Sequence, residues 1–148
     1  MLLDQLRQTL SQSLKAGDSV RVETLRFLLS DVTNSAIAKY GSAGESSLTD
    51  EDILAVIRKQ VKTHHESIDA FSKGKREDLV DKESAQLSIL EEYLPKQLSE
   101  AELNEILQPL ATSGETNFGA LMSQAMTKVD GRAEGGKVAA ALKKLLAQ

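Results

Sequence analysis

The chain has 148 residues, room for one domain or two small ones, and a formal net charge of −4. It contains no cysteine and no tryptophan, and only three Phe and two Tyr. Disulfides, thiolate metal sites and a cysteine nucleophile are therefore excluded, and a core must be built from Leu, Ile, Val, Ala and Met. Such a core suits packed helices better than a β-sandwich. Residues 1–95 carry 12 Lys/Arg against 16 Asp/Glu, while residues 96–148 carry 6 against 6. That acidic balance argues against a strong, self-sufficient nucleic-acid binder, because phosphate affinity comes largely from clustered Lys and Arg.

The opening stretch "MLLDQLRQTLSQSL" spaces Leu3, Leu6, Leu10 and Leu14 along one helical face. Its interruption by Asp4, Gln5, Arg7 and Gln8 removes the apolar run of a signal peptide, and nothing approaches a membrane span. The expectation is a soluble cytoplasmic protein with no membrane partner. Gly17 ends the first helix and Asp18 caps the second. Leu25, Leu28, Leu29, Val32 and Ala36 then form one stripe, and "YGSAGESS" at 40–47 reads as a loop.

Thr49 and Asp52 have capping-box spacing at the start of a long third helix, whose inner face runs through Ile53, Val56, Ile57, Val61, His64, Ile68 and Phe71. Gly74 interrupts it. A fourth helix turns Leu79, Leu87, Leu90 and Leu94 inward, and Pro95 breaks the chain. Ser99 and Glu102 make a second capping box. Three short amphipathic segments follow, near 100–112, 117–129 and 136–147. The predicted fold is all-α: an N-terminal multi-helix domain, 1–95, followed by a small C-terminal three-helix domain, 96–148.

Candidate chemistry is sparse. "VDGRAEGGKV", 129–138, places Gly131, Gly136 and Lys137 in G-x-x-x-x-G-K spacing, but Val138 stands where a Walker A loop needs Ser or Thr. A helix rather than a strand precedes it, so no ATP site is expected. The plain reading is a turn between helices, with Gly131 ending one and Gly135–Gly136 opening the next. A second reading uses the free amides and positive end of that helix to hold a phosphate of an RNA backbone, reinforced by Lys128, Arg132 and Lys137. "HHESID", 64–69, fails the H-E-x-x-H pattern because Asp69 replaces the second histidine; His65 and Asp69 read as a solvated pair and no metal is expected. The charge run "KGKREDLVDKE", 73–83, reads as a solvated helix start, or else as a partner surface with Lys73, Lys75 and Arg76 projecting. Glu91 and Glu92 diverge on a helix. No catalytic constellation and no cofactor site is visible.

As an ordered set, "VRVETLRFLLSDVTN", "ESIDAFSKGKREDLVDKE", "LSILEEYLPKQLSEAEL" and "MTKVDGRAEGGKVAAALKKLL" closely resemble the YqeY-like proteins of the GatB/YqeY group, over essentially the whole chain. The resemblance implies an all-helical, two-part architecture and a link to tRNA. It extends to the helical tail of the B subunit of glutamine-dependent aspartyl/glutamyl-tRNA amidotransferase, which helps engage the tRNA body while the chemistry lies elsewhere. His64–His65, Gln86 and Glu134 depart from the family's usual residues. The favoured function is a tRNA-associated binding or accessory module, its partners tRNA, a tRNA amidotransferase or another tRNA-handling protein, and not DNA. Against it stand a carbon–nitrogen ligase component using glutamine as amide donor, and a general protein-interaction module. The missing ATP site and amidase nucleophile weigh against autonomous catalysis.

Overall fold

The computed structural model describes residues 1–148 and is entirely helical, with seven α-helices and no strand. The chain divides into two compact units, Met1–Leu94 and Pro95–Gln148. No helix is long and apolar enough to cross a membrane.

The first unit holds α1 (Leu2–Ala16), α2 (Ser19–Tyr40), α3 (Asp50–Lys73) and α4 (Glu77–Glu91). Gly17 ends α1 in the left-handed conformation at φ 72°, and the Gly17 and Asp18 amides donate to the Leu14 and Ser13 carbonyls. A side chain with a Cβ would be strained there, which is why glycine marks the stop. The Asp18 carboxylate then accepts the Arg21 amide and caps α2. Leu6, Leu25, Leu28, Val32, Ile53, Ile57 and Leu90 close the core at almost complete burial.

One local expectation changes. The 40–47 stretch is not an open loop: Gly41–Ser47 winds as a short 3-10 segment kinked at Gly44. Glu45 pins it there, accepting from Arg7 Nη2 on α1 at 2.5 Å. Gly74 ends α3 as expected; the left-handed residue of this turn is Lys75 (φ 57°), and the Arg76 amide reaches back to the Phe71 carbonyl across both residues.

The Thr49–Asp52 capping box opens α3, and Asp52 also accepts from Lys39 Nζ and Tyr40 Oη, each at 2.6 Å. The Lys39 ammonium first, then the Tyr40 hydroxyl and the Thr49 amide, hold the Asp52 carboxyl well below the usual carboxylate range. A carboxyl depressed in this way stabilises the fold above its unfolded pKa of about 3.9, and the contribution disappears as pH falls through the folded value. Asp52→Asn is therefore expected to lower the melting temperature at neutral pH. The gap to wild type should narrow below about pH 4, where unfolded carboxyls protonate. Thermal melts across that range check it; a gap that widens in acid would contradict the network.

The second unit packs α5 (Glu100–Ala111), α6 (Phe118–Val129) and α7 (Gly135–Leu146) around Leu107, Leu121, Ala125, Val129, Val138 and Leu142. The Ser99–Glu102 capping box opens α5. Pro109 sits in the last turn of α5, where losing one amide donor leaves the helix in place. Asn117 caps α6 by accepting the Ala120 amide. The Leu98 amide donates to the Arg132 carbonyl at 2.8 Å, fastening the approach to α5 onto the turn between α6 and α7.

Candidate nucleic-acid interface

The α6–α7 turn is built from two successive left-handed residues, Asp130 (φ 50°) and Gly131 (φ 74°). Helix α6 thus stops one residue earlier than glycine alone would place it, and the Asp130 amide donates to the Met126 carbonyl at 3.1 Å. Ala133 is buried beneath the turn, so the loop is anchored rather than loose.

Of the cations predicted here, Arg132 has a different job. Its Nε donates to the Val129 carbonyl at 3.1 Å and its Nη2 to the Lys128 carbonyl at 3.5 Å. A guanidinium at the negative end of α6, satisfying carbonyls that have no intrahelical partner, is a helix C-cap. Lys128 and Lys137 are exposed and enter no ion pair. Asp130 and Glu134, also exposed, flank them with opposite charge.

At the start of α7 the chain is bare. Glu134 occupies the N-cap with an extended backbone but makes no side-chain capping bond. The first-turn amides of Gly135, Gly136 and Lys137 are therefore left for an outside acceptor. A Cβ added at Gly135 or Gly136 would meet nothing within 4 Å, and neither residue has positive φ. Packing inside the unit does not require glycine at either place.

Val138, the residue that breaks the Walker pattern, is fully buried in the core, and the element preceding the turn is helix α6. The geometry is that of a helix–turn–helix connection. Sequence reasoning missed Lys144, which lies two turns along α7 from Lys137; both border a cleft of about 390 Å³ between α5 and α7. Their i, i+7 spacing was the available signal. Lys144 lies 4.0 Å from Glu100 across that cleft.

The other motifs resolve into hydrogen-bonded and ionic contacts of the first unit. His64 Nδ1 meets the Glu83 carboxylate of α4, and His65 Nε2 lies 3.8 Å from Glu91. The partner of His65 is thus not Asp69: α4 brings a carboxylate across where the same-helix neighbour stays in solvent. Arg76 pairs with Asp78, Lys82 with Glu23, and Glu92 with Arg21. No group of three His, Asp or Glu side chains is arranged to hold a metal ion.

These features define a class: an all-helical protein whose C-terminal three-helix unit presents an uncapped, glycine-opened helix start. The chain belongs to the YqeY-like family, whose model, described as Yqey-like protein, matches residues 3–146. A protein of Pyrenophora tritici-repentis named Altered inheritance of mitochondria protein 41, mitochondrial, is 28% identical over 139 residues, covering 90% of this chain and 74% of that protein. The protein of the same name from Kluyveromyces lactis is 30% identical over 138 residues, 91% of this chain and 72% of its own. That from Lachancea thermotolerans is 31% identical over 131 residues, 86% and 68% of the two chains. These relatives overturn the cytoplasmic expectation, since each is named as mitochondrial. A cysteine-free helical core folds equally well in any reducing aqueous compartment, so composition does not tell cytoplasm from mitochondrion.

Proposed function

We propose that the protein is a tRNA-associated accessory module that holds RNA backbone phosphate at the start of α7. Gly135, Gly136 and Lys137 supply the amides, Lys137 and Lys128 supply charge, and Gly131 with Arg132 fixes the turn. One observation carries the reading: two glycines open α7 with free space beside them and no capping side chain. Glycine in a helix costs stability relative to alanine, and here no internal contact explains the choice. A backbone stripped of Cβ atoms lets a bulky anion approach the amides closely, and the helix dipole favours negative charge there. The likeness to the amidotransferase tail supplies tRNA as the RNA. Such contacts position a nucleic acid without reading its bases, so binding would be weak and salt-sensitive.

The test uses opposite signs. Gly135→Ala/Gly136→Ala should stabilise the protein by about 0.5–1 kcal/mol per site in chemical denaturation. The same double variant should bind tRNA several-fold more weakly at low salt, because two methyl groups now stand before the amides. Stabilisation with unchanged tRNA affinity would reduce the glycines to a connection.

A further inference from the structure

A cleft of about 410 Å³ opens in the first unit between α2, α3 and α4, and its polar groups are incompletely matched. Gln86 of α4 is the clearest case. It is only 9% exposed and lines the cleft, yet its amide has no hydrogen-bond partner among the protein's own groups. That amide is not sealed inside the fold either, since the one fully enclosed, unpartnered side-chain nitrogen is Arg58 Nε. It therefore faces the cleft. An amide that opens onto the cleft takes its hydrogen bonds there, from water or from a ligand that displaces the water.

The charges around Gln86 define what that partner would be. Two pairs are already closed: Glu23 with Lys82 at 3.3 Å, and Glu83 with His64. Asp31 accepts only from neutral Gln60 Nε2, at 2.7 Å on Oδ2; it enters no ion pair and its Oδ1 is open. Lys59 borders the same cleft and enters no ion pair. Phe27, one helical turn before Asp31, is 61% exposed at the rim. The open set is one carboxylate, one ammonium, one amide, the Ser67 hydroxyl and one aromatic face.

We propose that this cleft binds a small zwitterion of the free α-amino-acid class, one whose side chain carries a hydrogen-bonding group. Its ammonium sits between the Asp31 carboxylate and the Phe27 ring, where a cation is attracted by both. Its carboxylate answers Lys59, and its side chain answers the Gln86 amide. The cleft lies at the small end of the usual range for ligand pockets, roughly 300–1,000 Å³. A nucleotide fits poorly, because the open Asp31 carboxylate would repel its phosphates and Lys59 is the one free cation to answer them. A simple amine would leave Lys59 unanswered.

The experiment is NMR titration of the full-length ¹⁵N-labelled protein with each free L-amino acid at millimolar concentration. The best binder is then repeated as its N-acetyl and α-carboxamide derivatives. Saturable shifts confined to α2, α3 and α4 are expected for a free amino acid. N-acetylation and Asp31→Asn should each weaken binding about tenfold or more, the scale of one charge-assisted hydrogen bond. The Asp31→Asn variant keeps a carbonyl oxygen as acceptor for Gln60, and exposed Lys59→Ala should leave the fold intact, as far-UV circular dichroism would check. Amidating the ligand should abolish its sensitivity to Lys59→Ala. No saturable shift with any free amino acid overturns the proposal, as does binding that survives both N-acetylation and amidation.

Discussion

Leu107→Ala is expected to unfold residues 95–148 while leaving the first unit folded. Leu107 is fully buried among the aliphatic residues of α5, α6 and α7. Truncating such a leucine costs about 2–5 kcal/mol, from lost transfer energy and the cavity left behind. A unit this short has on the order of 3–8 kcal/mol to lose, at about 0.05–0.15 kcal/mol per residue. One side chain therefore removes most of its stability. Hydrogen exchange followed by mass spectrometry reads the outcome: amides of α5–α7 should exchange as in an unfolded chain while those of α2 and α3 keep their protection. The isolated fragment 1–94 should likewise fold cooperatively, and 95–148 alone should be marginal. Simultaneous loss of protection in both units would mean that the two compact units are one cooperative domain.

Local signals in the chain carry most of the helical layout. Both capping boxes, Thr49–Asp52 and Ser99–Glu102, form as their three-residue spacing predicts, and the Gly17–Asp18 pair ends one helix and caps the next. Such devices act within one turn, so nearby residues suffice to specify them. What stays hidden depends on how helices are rotated against one another. Gln60 reaches Asp31 across 29 residues and His64 reaches Glu83 across 19, and no periodicity on a single helix announces either. Gln86 reads as one more polar residue on α4, whereas burial against its neighbours makes it the unmatched group of the cleft. At the α6–α7 turn the sequence shows which residues gather but not which way they point. Spacing groups Arg132 with Lys137 as a phosphate ligand, yet its guanidinium is turned back onto the α6 carbonyls.

That difference separates the two kinds of cation experimentally. Lys128 and Lys137 are exposed and unpaired, so Lys128→Ala/Lys137→Ala should leave the helical content and stability nearly unchanged. If both meet tRNA phosphates, the double variant should flatten the log–log salt slope of binding by up to about 1.8, from roughly 0.9 per contact. A fourfold rise in salt would then cost the wild type roughly tenfold more affinity than it costs the variant. Arg132→Ala should behave in the opposite way. Losing the cap on the Val129 carbonyl should destabilise the second unit by about 1 kcal/mol, while the salt slope stays near that of wild type. A slope reduced by about one contact in Arg132→Ala would instead mean that the guanidinium swings out to the RNA. If the lysine double variant binds tRNA with the wild-type affinity and slope, the start of α7 holds no phosphate and the turn only joins two helices.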